Sequence, residues 1–225
     1  MWKGKGIGTI GKSGCFSFQQ TKSMTSGDGG IIITDDEAIT EKVYSLKNCG
    51  RTRGHNHELL GQNYRITEFQ AAVLLAQLER LEGQIAIRES NIDYLTVKLR
   101  DLKGVKPLKK NPGTERQGVY SFVLRYDNSE FDGVPIEKFK KALDAEGIQN
   151  FDVYPPIYQN ELWHVDLGKF PYANNMRQPE CPNADNVYRE AILLGHHMFL
   201  GDKSDMDDVV DSIRKIKDYA KELHE

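Results

Sequence analysis

Cysteine is scarce in this chain: Cys15, Cys49 and Cys181 are the only three, odd in number, far apart and without a Cys-x-x-Cys pair. That pattern excludes a disulfide framework and offers no zinc signature, so reduced, structural thiols are expected. Apolar runs of membrane-spanning length are missing, and the first residues lack the apolar core of a signal peptide. Neither sign of charge dominates. Against 33 acidic side chains stand 30 Lys and Arg, interspersed, for a net charge of -3. Such a balance gives no electrostatic footprint for nucleic acid or an anionic membrane. Internal repeats and low-complexity tracts are absent as well. A cytoplasmic location is the expectation, and 225 residues are long enough for one large domain or two small ones around a real core.

The start of the chain carries two glycine patterns. Gly6-Ile7-Gly8-Thr9-Ile10-Gly11-Lys12-Ser13 satisfies the P-loop spacing, and Gly6, Gly8 and Gly11 satisfy the dinucleotide fingerprint. Both need a strand before the loop and a helix after it, so that a helix N-terminus meets the phosphates. Met1 to Lys5 is too short and polar for a buried strand, and Gly14 to Phe18 reads as strand. A P-loop phosphotransferase is therefore not expected.

The stretch with more to say is Gly14 to Thr34. Cys15 and Ser17 alternate with Phe16 and Phe18, the period of two that marks a strand with one apolar face, and Ile31-Ile32-Ile33-Thr34 reads as a second strand. Between them lies a polar connection in which Gly27, Gly29 and Gly30 allow positive φ or close backbone approach. Lys22 sits on it. A lysine held between buried strands sheds water and can attack a carbonyl, so Schiff-base chemistry is one reading of Lys22; a solvated loop lysine is the other.

The remainder alternates. Asp35 to Leu46 predicts a helix with acids at its start and Ile39, Val43 and Leu46 on one face, ended by Cys49-Gly50. His55 and His57 follow in a polar loop with no metal-ligand spacing. Thr67 to Gln70 is a capping box that opens a long helix with an apolar seam through Leu74, Leu78, Leu81, Ile85, Ile92, Leu95, Leu99 and Leu102. Gly83 predicts a kink or a close contact there. A strand over 119–126, a helix over 135–146 with Pro135 in its first turn, and a strand over 148–153 come next. Residues 158–180 read as a long irregular loop, 181–185 lead into a short helix, and Ser204 is expected to cap a last helix. The fold class is α/β.

Phe16-Ser17-Phe18-Gln19-Gln20-Thr21-Lys22 with Thr25-Ser26-Gly27-Asp28-Gly29-Gly30 resembles the pyridoxal-phosphate lysine segment of the DegT/DnrJ/StrS family of sugar aminotransferases. Gly61-Gln62-Asn63-Tyr64-Arg65 followed by Gln70-Ala71-Ala72 resembles that family's second signature. The resemblance covers nearly all of this sequence but only the C-terminal half to three-fifths of a family member. It implies the C-terminal part of a fold-type I transferase: the end of the large-domain sheet in 1–84, the start of a linking helix, and an α+β small domain in 85–225.

The resemblance further implies pyridoxal 5'-phosphate as cofactor, Lys22 as its covalent anchor and Ser17 as a phosphate contact. Asn63 would reach the phosphate of a neighbouring subunit's cofactor in a homodimer with shared sites. Arg65 would be structural or near that phosphate. Tyr154, His196 and His197 would face the substrate, with Gly195 where many relatives carry proline. Gln19-Gln20-Thr21-Lys22 is similar to the branch that uses glutamine as donor and keto-cyclitols as acceptors. The family's ring-nitrogen acid, phosphate turn and stacking aromatic fall earlier in its pattern than Met1. The alternative reading is thus a non-catalytic fragment or packing module, or a chain whose partner supplies the N-terminal half.

Overall fold

A computed structural model describes residues 1–160 and 181–224. The chain forms two compact units. One comprises Met1–Glu89 with Lys110–Tyr120; the other comprises Ser90–Lys109 with the described residues from Ser121 onward.

The first unit is built on strands β1 (Gly14–Ser17) and β2 (Gly30–Ile33), helix α1 (Glu37–Lys47) and the first part of helix α2 (Glu68–Lys98). β1 and β2 pair antiparallel, Ser17 opposite Gly30 and Gly14 opposite Ile33, as the alternation and the Ile run predict. The glycines of the opening segment serve this hairpin. A Cβ on Gly14 would lie 2.3 Å from the Gly8 carbonyl oxygen, and one on Gly8 would lie 2.5 Å from the Phe16 ring. Gly8 is therefore a seat for Phe16, and a strand stands where a P-loop needs a helix.

Helix α1 is capped by Asp36, whose Oδ1 accepts from the Ile39 N–H at 3.1 Å. Its last carbonyls, which have no partner within the helix, are taken by the loop that follows. Gly50 N–H donates to Ser45, Gln62 N–H to Leu46 and Tyr64 N–H to Lys47. The capping box of α2 is present: Gln70 N–H donates to Thr67 Oγ1, and Thr67 N–H donates to Gln70 Oε1. Helix α2 continues through Gly83, and a Cβ there would meet nothing within 4 Å, so the close contact predicted at Gly83 does not exist. Of the seam, Leu74, Leu95 and Leu99 are buried while Leu78 stays exposed.

The second unit holds a four-stranded antiparallel sheet, order β3-β4-β6-β5, from β3 (Val105–Pro107), β4 (Ser121–Tyr126), β5 (Asn150–Asp152) and β6 (Ala191–Gly195). β3 escaped sequence reading because three residues are too few to show alternation. Helices α3 (Ile136–Ala145), α4 (Pro182–Glu190) and α5 (Lys203–Asp218) complete it. Alternation along β4 puts Phe122, Leu124 and Tyr126 into the core beside Leu95 of α2, Phe139 of α3 and Ile213 of α5. Tyr126 stacks on Phe139 with ring centroids 4.3 Å apart, and its hydroxyl donates to the Val134 carbonyl at 2.9 Å. Burial there pushes the Tyr126 phenol well above its ordinary range, so it stays a neutral donor.

Two predicted helix starts shift by a residue or two. Pro135 is the N-cap of α3 and not a first-turn residue. The cap of α5 is Asp202, not Ser204: its carboxylate accepts from Ser204 N–H at 2.8 Å, and Asp205 returns a bond to the Asp202 N–H at 2.7 Å. A carboxylate outcompetes a hydroxyl there because charge-assisted acceptance at a helix N-terminus is the stronger bond. Residues 157–159 form a single tight turn, and 161–180 of the predicted loop lie outside the described residues.

Candidate active site

Lys22 lies on the connection between β1 and β2, and that connection is fastened at several points. Its start and end close on Phe18, which is buried: Phe18 N–H donates to Gly29, while Ser26 N–H and Thr25 Oγ1 both donate to the Phe18 carbonyl. Lys22 N–H bonds back to the Gln19 carbonyl at 2.9 Å, and Gln19 Oε1 in turn accepts from Thr21 N–H and Oγ1 at 2.9 and 2.7 Å. Gly27 and Gly29 take φ of +85° and +130°. The chain reverses there through conformations closed to other residues.

Two glutamines of α2 grip the same loop. Gln77 accepts from Thr25 N–H at 3.0 Å and donates to the Thr25 carbonyl at 2.5 Å, and Gln70 donates to the Asp28 carbonyl at 3.1 Å. They stand seven residues apart, two helical turns, and so share a face. A reading of α2 for apolar residues alone passes over that polar pair.

The Lys22 side chain is partly buried and its Nζ stands 4.1 Å from the centre of the Tyr120 ring. Tyr120 is held in place by a 3.0 Å hydrogen bond between its hydroxyl and Thr21 Oγ1. Nothing local in the sequence announces Tyr120, which lies on the Lys110–Tyr120 segment of this unit.

Ser17 ends β1 with an exposed side chain whose Oγ accepts from Gln19 N–H at 3.3 Å, leaving its O–H to donate. Asn63 is exposed, its backbone bridged to Asn48 and its Oδ1 3.4 Å from Arg65 N–H. Arg65 Nη1 donates to Asn48 Oδ1 at 2.5 Å. Lys22, Ser17 and Asn63 thus all belong to the first unit.

Tyr154, His196 and His197 belong to the second. His196 and His197 follow β6 with their rings edge to face, centroids 5.9 Å apart. A Cβ on Gly195 would fall 2.5 Å from the His197 ring, so glycine is needed for that ring to fold back over the strand. Tyr154 is 76% exposed and follows β5. β5 and β6 are antiparallel, Asp152 opposite Ile192, so residues beyond the C-terminal ends of the two strands leave from opposite ends of the pair. The structure brings the two histidines together and sets Tyr154 apart from them. Among the described residues no cluster of three or more His, Cys, Asp and Glu is arranged to hold a metal, and no helix is long and apolar enough to cross a membrane.

The family model described as "DegT/DnrJ/EryC1/StrS aminotransferase family" matches residues 1–214. The chain is 33% identical over 235 residues to the L-glutamine:2-deoxy-scyllo-inosose aminotransferase of Streptomyces kanamyceticus, covering 96% of this chain and 55% of that protein. It is 31% identical over 239 residues to the enzyme of the same name from Micromonospora echinospora, covering 99% and 57%. Among solved structures it superposes on 3-amino-5-hydroxybenzoic acid synthase with a TM-score of 0.78 at 29% identity, over 95% of this chain and 56% of that one. The chain spans a little over half the length of the curated relatives it matches.

Proposed function

Because this chain belongs to the DegT/DnrJ/EryC1/StrS aminotransferase family, we propose that it forms part of a pyridoxal 5'-phosphate-dependent aminotransferase. The reaction moves an amino group from glutamate or glutamine to a keto-sugar or keto-cyclitol. The observation that carries this reading is Lys22: a partly buried amine on a glycine-bent loop that β1, β2 and two glutamines of α2 hold from four sides. The relatives named for glutamine and inososes favour glutamine and a keto-cyclitol.

The residues present fit the cofactor's chemistry. An aldehyde needs an amine, which Lys22 supplies, and a phosphate needs hydrogen-bond donors, which the Ser17 hydroxyl and the Asn63 amide supply. When bound, pyridoxal phosphate provides the electron sink that protein side chains lack. The chain's own part would be to present the Lys22 amine to the cofactor's aldehyde, to pass a proton on Nζ between the amino-donor carbon and the cofactor carbon, and to anchor the phosphate through Ser17. Asn63 serves the neighbouring subunit's phosphate in a cytoplasmic homodimer with shared sites, and Tyr154, His196 and His197 face the substrate. Residues 1–84 are then the remainder of the cofactor-binding domain and 85–225 the small domain.

A specific observation favours a second reading beside the first. Phe16, Ile31 and Ile32 of the hairpin are 41–47% exposed, Phe69 and Leu75 of α2 87% and 65%. Apart from the face that carries Gln70 and Gln77, the first turns of α2 are largely apolar, through Phe69, Val73, Leu74, Leu75 and Leu78. In this reading the cover is the part of the family fold that these 225 residues do not span, and alone the chain is a non-catalytic fragment.

Mixing the chain with pyridoxal phosphate, reducing with borohydride and mapping the product by mass spectrometry tests both. An adduct confined to Lys22 and lost in Lys22→Arg, with amino transfer from glutamine, supports the enzyme. Adduct without transfer supports the fragment. No adduct at Lys22 rejects the cofactor role.

A further inference from the structure

We propose that Tyr120 is a positioning residue for Lys22, acting through the lysine and not on the substrate; the inference rests on the role given to Lys22 above. Nζ of Lys22 lies 4.1 Å from the Tyr120 ring centroid, well within the range in which the negative face of an aromatic ring attracts a cation. The ring is not free to turn away, because its hydroxyl shares a 3.0 Å hydrogen bond with Thr21 Oγ1, the residue next to the lysine. Thr21 is itself tied to Gln19 Oε1 by its N–H and its hydroxyl. Tether and ring therefore address the same turn.

The segment that delivers Tyr120 is pinned on both sides. Trp2 bridges to Thr114 and Lys3 N–H donates to the Gly113 carbonyl at 2.9 Å. Arg116 pairs with Glu82 of α2 at 2.5 Å, and Gln117 N–H donates to Glu89 Oε1 at 2.6 Å. Val119 is buried next to Tyr120. An unanchored lysine explores many rotamers, and fixing it costs conformational entropy before any reaction. The ring prepays part of that ordering by holding the ammonium at the turn. It attracts the cation and has no comparable hold on a neutral amine, so the parking is released when the proton leaves.

Two measurements on the full chain decide it. With lysine labelled at the ε carbon, the Lys22 ε-CH2 resonance, assigned by its loss in Lys22→Arg, is expected upfield of the other lysines because it sits over a ring face. A Lys22 signal at the ordinary lysine position overturns the proposal. In Tyr120→Leu that displacement disappears, and acylation of Lys22 by a soluble N-hydroxysuccinimide ester rises about two- to fivefold, the worth of an exposed cation–π contact. Tyr120→Phe, which keeps the ring, stays closer to the parent. Equal labelling in parent, Phe and Leu chains overturns it. A Lys22 that is ring-shifted yet never trapped by pyridoxal phosphate fails the cofactor role and not the pairing; one that is trapped but never ring-shifted fails the pairing alone.

Discussion

Arg65 and Asn48 are joined by a 2.5 Å hydrogen bond from the guanidinium to the side-chain oxygen, beside the bridge by which the Asn48 backbone meets Asn63. Their pairing fastens the segment that presents Asn63 to the end of α1. Arg65→Ala is expected to speed amide exchange at Gln62 and Tyr64, whose N–H groups bond to Leu46 and Lys47, while Asn63→Ala leaves that exchange unchanged. Both are expected to weaken retention of pyridoxal phosphate, Asn63→Ala by roughly ten- to a hundredfold, the usual worth of one hydrogen bond to a charged group. Hydrogen-exchange mass spectrometry and equilibrium dialysis read the two effects separately.

Gly50 carries the tightest contact in the same loop. Its φ is +84°, and a Cβ would lie 1.9 Å from the Leu59 carbonyl oxygen. Gly50→Ala combines a backbone conformation closed to alanine with a clash against main chain that has no rotamer to yield. A loss of more than about 1 kcal/mol is expected, seen as a lower melting temperature.

Phe139 is fully buried, stacked on Tyr126 and edge-on to Phe131 at 5.3 Å. Phe139→Ala is expected to cost about 3–5 kcal/mol and to move the urea midpoint of the second unit accordingly. Tyr126→Phe keeps the ring and removes only the bond to Val134, so its shift should be far smaller.

Acid should weaken the second unit in a defined window. Lys98, then Tyr94, hold the Asp207 carboxyl below its usual range, and the Ser204 hydroxyl with the Asp205 and Ser204 N–H groups do the same for Asp202. A depressed folded-state value means stability that is present above the unfolded-state value, about 4, and lost as pH falls through the lower one. Urea midpoints measured from pH 6 downward should therefore fall below about pH 4, and less steeply in Asp207→Asn. Because Asp202 is the cap, Asp202→Ala should lower the melting temperature more than Ser204→Ala.

At the alkaline end the Tyr158 phenol is pushed up to about 12, chiefly because it donates to Asp185 at 2.6 Å. Ionising it would remove that donor and set two negative charges together. Asp185→Asn should bring the Tyr158 titration back toward 10, about the ordinary tyrosine value, followed by carbon resonances of labelled tyrosine.

By itself the sequence determined whatever depends on neighbours along the chain. The period of two set the β1–β2 hairpin around Lys22, Thr67 and Gln70 opened α2, and two motifs carried the family. Each of these is written within a few residues, because capping bonds, pleat and helical repeat are properties of local backbone geometry. Only the tertiary structure decided what requires distant segments to meet. It put Tyr120 under Lys22, gave Gln77 to Thr25, used Gly8 as a seat for Phe16, left Gly83 without a contact, and parted Tyr154 from the histidines through the direction of β5 against β6. Those outcomes depend on the path of segments far apart in sequence, such as the one pinned through Thr114 and Arg116, and no pattern within a window of residues encodes that path.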